Sequence, residues 1–188
     1  MKEGDRIPEF TAIDQNGRTF TAQDLIGRRT ILYFYPKDNT PGCTAEACNL
    51  RDNINGLSAA GYQVIGVSRD SDASHRKFIE KYELPFTLLS DKSTEMLQAF
   101  GAWGEKKMCG KVSIGTLRKT FIINEEGIIE RIIGKVDTKD SLIFSVIRAR
   151  FLCPACASIL LSFFASFFFI TFLIIHKYSL YCKNIIIT

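Results

Sequence analysis

A chain of 188 residues with 46% apolar content suits one domain of ordinary size with a buried core. Its net charge of +4 arises wholly after Asp140: all 20 acids lie at or before that residue, and Arg148, Arg150, Lys177 and Lys183 follow it. The neutral body carries no Lys/Arg stripe, which excludes nucleic-acid binding, since that rests on neutralising several phosphates together.

The opening stretch, MKEGDRIPEF, is charged and lacks the apolar run of a secretory leader, so the body is expected in the cytoplasm. Cysteines there stay reduced unless they cycle. In FTAIDQNGRTFTA, Asn16-Gly17 between alternating segments predicts a hairpin. TILYFYP and YQVIGVS are short apolar runs rich in β-branched and aromatic residues, hence buried strands. Between them Ala47, Leu50, Ile54 and Leu57 recur at helical spacing, with Gly61 as the stop.

A second helix, charged and containing His75, is predicted in SDASHRKFIEKYEL, with Phe78, Ile79 and Tyr82 on one side. The strand FTLLS follows, then a helix around Met96, Leu97 and Phe100. TFIINEEGIIERIIG reads as two strands turning at Glu126-Gly127. Strands alternating with helices and closing on a hairpin predict a central mixed sheet flanked by helices, an α/β layout of the thioredoxin-like kind. Phe100 and Trp103 are expected to pack near the site described next.

YPKDNTPGCTAEACNLRD, residues 35–52, carries the chemistry. Thr40 is a good N-cap, Pro41 suits the first helical position, and Cys43 then falls in the first turn. Unpaired N–H groups and the positive end of the helix dipole favour thiolate over thiol there. Lowering a thiol pKa from about 8.5 to about 6 raises the thiolate fraction at neutral pH only about thirtyfold. A fast enzyme therefore needs further groups that orient substrate and stabilise a leaving oxygen. Thr40 is the near candidate and Arg118, just before TFIIN, the distant one.

The segment YFYPKDNTPGCTAEACNLRD closely resembles the active-site segment of peroxiredoxins of the Q-type, or bacterioferritin-comigratory, group. Pro36, Thr40 and Cys43 reproduce the PxxxTxxC signature, and AFGAWGEKKM and GKVDTKD are similar to the same group. The resemblance covers roughly residues 3 to 140. It implies that Cys43 attacks a hydroperoxide, that Thr40 and Arg118 orient it, that Pro36 shields the thiolate, and that Glu46 supports the site. It also implies that Cys48 resolves the resulting sulfenic acid, that a thioredoxin-like protein recycles the enzyme, and that no cofactor or metal is needed. The other class of function is a redox sensor or holdase using the same thiols without turnover.

On a regular helix residues five apart have Cα atoms roughly 8.7 Å apart, whereas a disulfide tolerates no more than about 7 Å. Cys48 can meet Cys43 only if the helix start unwinds, which predicts a cycle between a helical reduced state and a locally unfolded oxidised one.

The expected organisation is a monomeric thioredoxin-like body over 1–140, a partial closing helix over 141–150, an apolar segment over 151–175 and a basic tail over 176–188. Residues 151–175 contain no charge and as a helix would extend about 37 Å, enough to cross a membrane core of about 30 Å. Two accounts fit this segment: a membrane anchor, or a frameshifted ending. The second is suggested by the loss of acids and by eight of the 15 Phe falling after Asp140, and its extreme is an inactive product. Cys153-Pro-Ala-Cys156 lies in this run without a preceding strand or a nearby His, so its CxxC spacing is read as coincidence. Cys109 and Cys182 receive no role. Metal binding is not expected, because the only histidines are His75 and His176.

Overall fold

The computed structural model describes residues 1–108 and 111–134, with the side chains of 107, 108 and 111 excepted. Cys109, Cys153, Cys156, Cys182, the 141–150 helix, the 151–175 segment and the 176–188 tail lie outside the described residues.

A seven-stranded sheet forms the body, built in chain order from β1 (Thr11–Asp14), β2 (Thr19–Thr21), β3 (Arg29–Phe34), β4 (Tyr62–Ser68), β5 (Thr87–Ser90), β8 (Lys119–Ile123) and β9 (Ile129–Ile133). Its spatial order is β2-β1-β5-β4-β3-β8-β9. The three central strands β5, β4 and β3 are parallel, and the hairpins β1–β2 and β8–β9 close the two edges antiparallel. This is the mixed thioredoxin-like sheet that the alternation predicts. Both predicted hairpins form, with Gly17 at φ 80° and Gly127 at φ 79° in the turns. A separate ribbon, β6 (Trp103–Met108) with β7 (Lys111–Thr116), was not foreseen. β7 alternates Val112 and Ile114 with polar or small residues, but both are exposed, so the alternation marks no buried face.

The predicted first helix is two helices, α1 (Pro41–Asp52) and α2 (Ile54–Ala59). The break falls at Asn53, whose side-chain amide donates to the Asn49 carbonyl at 2.9 Å and so competes with the helical ladder. Ala47, Leu50 and Leu57 are buried as their spacing requires, whereas Ile54, beside the break, is only half-buried. α3 (Asp72–Tyr82) and α4 (Glu95–Ala99) follow as expected.

The alternation along β3 divides the core in two. Leu32 and Phe34 face a cluster with Ile65, Val67, Leu89, Phe100, Phe121 and Ile123. Phe100 is 1% exposed and packs between Phe10, Phe34 and Phe121, so it is a core residue. Trp103 is half-buried under the guanidinium of Arg69. On the opposite face of β3, Tyr33 and Tyr35 stack at 5.3 Å; Tyr33 meets Phe86 and Tyr35 meets Phe78 of α3. A Cβ on Gly66 would stand 2.7 Å from the Tyr33 phenol and from Leu88, so only glycine lets that ring lie across β4.

Candidate active site

The site lies where β3 hands the chain to α1. Tyr35 still bonds the sheet, its N–H donating to the Val67 carbonyl at 3.1 Å, and the chain then turns through Pro36 to Thr40 before α1 begins at Pro41. Thr40 does occupy the N-cap, with extended backbone (φ −88°, ψ 146°). Its hydroxyl does not cap the helix, contrary to expectation: it donates to the Lys37 carbonyl at 3.0 Å. The first helical bond runs from the Thr44 N–H to the Thr40 carbonyl at 2.8 Å. Gly42 and Cys43 thus present the amides that an α-helix leaves without an internal partner.

Cys43, third in α1, is 2% exposed and is a free thiol. Arg118 reaches it across 75 positions because β8 pairs with β3 antiparallel, with Phe34 opposite Lys119. That register sets Arg118 beside the end of β3, and edge-on packing of Phe121 on Phe34 at 5.7 Å adds about 0.5–1.5 kcal/mol to hold it. Nη2 of Arg118 donates to Cys43 Sγ at 3.2 Å, and Nη1 pairs with Glu46 Oε2. Glu46 stands three residues after Cys43, hence on the same face of α1.

The electrostatics are those of a crowded, partly dried site. Burial dominates at Glu46 and pushes its carboxyl up to about 7 despite the pull of Arg118. Burial also favours the neutral form of Arg118, but Glu46 and Cys43 outweigh it and hold the guanidinium charged above its ordinary range. Glu46 Oε1 and the Tyr33 hydroxyl are buried without a hydrogen-bond partner. Burial, then Glu46, Asp38 and Cys43, raise the Tyr33 phenol well above its usual range.

Of the residues singled out from the sequence, the structure brings together Cys43, Arg118 and Glu46. Pro36 and Thr40 are half-buried in the entering loop, and Cys48 is a half-buried free thiol farther along α1. His75, read from the sequence only as part of a charged helix, does lie in α3 and is fully buried there, its Nδ1 3.0 Å from Asp38 Oδ2. Asp38 was missed although it lies inside the quoted motif. The signal was available, because His75, Phe78, Ile79 and Tyr82 fall at i, i+3, i+4 and i+7, which places the histidine on the apolar stripe. Among the described residues no group of three or more His, Cys, Asp or Glu side chains could hold a metal ion.

A thioredoxin-like sheet presenting a cysteine in the first turn of the helix after β3, under a guanidinium from β8, defines a thiol-based redox protein. Residues 4–132 match the AhpC/TSA family, and the chain belongs to that family, in its Q-type peroxiredoxin group. It is 47% identical over 136 residues to the putative peroxiredoxin bcp of Coxiella burnetii, covering 72% of this chain and 90% of that protein. Identity to peroxiredoxin Bcp of Escherichia coli K12 is 43% over 140 residues, 74% of this chain and 90% of the relative. The structure of the Xanthomonas campestris bacterioferritin comigratory protein superposes with a TM-score of 0.70 at 32% identity, covering 75% of this chain and 91% of that one.

Proposed function

We propose that this peroxidase reduces hydrogen peroxide and small organic hydroperoxides at Cys43, forms a Cys43–Cys48 disulfide, and is returned to the dithiol by a thioredoxin-like protein. The observation that carries the reading is the Arg118 guanidinium 3.2 Å from the Cys43 sulfur and shared with Glu46. A fixed cation at that point stabilises the negative charge that develops on the leaving oxygen. The Xanthomonas campestris relative has alkyl peroxide reduction activity, which supports the substrate class.

In the first step the Cys43 thiolate attacks one peroxide oxygen. The S–O bond forms as the O–O bond breaks, and the alkoxide or hydroxide departs and takes up a proton, leaving a sulfenic acid. Arg118 balances the charge as it moves from sulfur to oxygen, and Glu46 holds the guanidinium in place. Thr40 and Pro36 bound the approach to the sulfur. In the second step the Cys48 thiolate attacks the Cys43 sulfur, the S–S bond forms as the S–O bond breaks, and the departing hydroxide takes up a proton to leave as water. The reductant's dithiol then supplies two electrons and two protons by thiol–disulfide exchange. No cofactor or metal enters this scheme, and the body works as a cytoplasmic monomer. Among the described residues no helix is long and apolar enough to cross a membrane.

The test is hydrogen peroxide consumption by the full chain with thioredoxin, thioredoxin reductase and NADPH. Many equivalents should be consumed per chain, and Cys43→Ser should reduce this to the enzyme-free rate. Consumption of about one equivalent, as a sensor would show, or activity surviving in Cys43→Ser would refute the assignment.

A further inference from the structure

The loop that leads into α1 gathers its polar bonds on one residue, Asp38, which is 5% exposed. Its carboxylate accepts the Tyr35 hydroxyl at 2.8 Å, the Ser74 hydroxyl at 2.6 Å and His75 Nδ1 at 3.0 Å. Its own N–H donates to Asp70 Oδ2 at 2.7 Å, and Asp70 in turn accepts the Ser68 hydroxyl at 3.0 Å. His75 Nε2 faces the Leu89 carbonyl at 3.2 Å. The ring is thus held at both nitrogens, by Asp38 on one side and β5 on the other.

These partners come from the end of β3, the end of β4, α3 and β5; none comes from α1. The next residue, Asn39, takes the left-handed conformation at φ 56°, which asparagine tolerates better than most residues. The first helical bond, Thr44 N–H to Thr40 carbonyl, lies beyond it. The chain thus passes within two residues from this saturated clamp to a helix whose first internal bond starts at Thr40 and whose first turns are tied, through Arg118, to β8 and not to the clamp.

We propose that the Asp38–His75 pair is a positioning element that clamps the loop bearing Pro36 and Thr40 to α3, so that oxidation unwinds α1 from Asn39 onward while the loop ahead of it stays in place. This rests on the peroxidase reading, because bringing Cys48 to Cys43 is what requires the unwinding. The clamp gives the unwinding a fixed limit and returns Thr40 and Cys43 to the same geometry after each reduction. None of the hydrogen bonds of Asp38 and His75 goes to Cys43 or Cys48, so they act through the position of the loop.

The experiment uses the full chain with hydrogen peroxide, following sulfenic acid formation and disulfide formation as separate steps by stopped-flow fluorescence. In Asp38→Asn the second-order peroxide step should slow by about tenfold to a hundredfold, the scale of an ångström-level misplacement, while the disulfide-forming step does not slow. Ser74→Ala, which removes one clamp bond and keeps the ion pair, should act in the same direction by a smaller factor, and it serves if Asp38→Asn does not fold. In oxidised wild type, the Asp38 amide should keep its protection from hydrogen exchange while the amides of residues 43–48 lose theirs. Proportional slowing of both steps, no change in either, or loss of Asp38 protection together with α1 would overturn this inference and leave the peroxidase reading standing. Wild type that turns over no peroxide would remove both.

Discussion

Two buried ion pairs flank the turn that carries Cys43, and they are built differently. In the Asp38–His75 pair both carboxylate oxygens and both ring nitrogens have partners. In the Arg118–Glu46 pair the guanidinium spends one arm on the Cys43 sulfur, Glu46 Oε1 has no partner, and Arg118 keeps 21% of its side chain exposed. Unsatisfied buried polar atoms are costly and persist where something else requires them. A saturated pair holds the chain still, whereas an unsaturated one leaves bonding capacity for a passing substrate.

That contrast can be broken most directly at His75. Its removal leaves Asp38 as a buried unpaired carboxylate, so His75→Ala should cost about 3–5 kcal/mol of stability in urea denaturation; a loss near zero would show that the clamp holds nothing. Arg118→Gln should invert the pattern, lowering the peroxide step about 10²- to 10³-fold with a smaller effect on stability, because Glu46 can relieve its lost partner by taking up a proton. Equal rates in wild type and variant would separate the guanidinium from catalysis.

The third comparison is a pH dependence. Burial raises the Glu46 carboxyl from 4.5 to about 7, so near neutrality the folded chain holds a proton that the unfolded chain has released. Stability should therefore fall as pH rises from about 4.5 to about 7 and level off above, by up to about 3 kcal/mol from this group. Glu46→Gln should flatten that stretch of the profile; an unchanged slope would assign it elsewhere.

The sequence showed one of these pairs better than the other, for a physical reason. Cys43, Glu46 and the helix start share one turn, so local rules and the family motif reach them together. Arg118 joins them only through the β3–β8 register, which periodicity does not specify and the resemblance supplied. Asp38 and His75 are separated by 37 positions and meet only once β3 and β4 pair in parallel and α3 follows β4. His75 reads only as part of a charged helix, although its spacing to Phe78, Ile79 and Tyr82 places it on the apolar stripe. The strands of the seven-stranded sheet were legible as elements because their apolar runs are short and punctuated, whereas their spatial order came from the structure. The β6–β7 ribbon was not, since its strands alternate without burying a face, and the Asn53 break depends on a side-chain bond that helical spacing ignores.

The account stands on the coupling of Cys43 oxidation to unwinding of α1. Mass spectrometry of peroxide-treated full-length protein, digested without reductant, measures it directly. The account predicts a peptide pair joined through Cys43 and Cys48 in near-stoichiometric yield, lost in Cys48→Ser with Cys43 held as a sulfenic acid. Wild-type protein that accumulates the sulfenic acid and forms no Cys43–Cys48 link would contradict it.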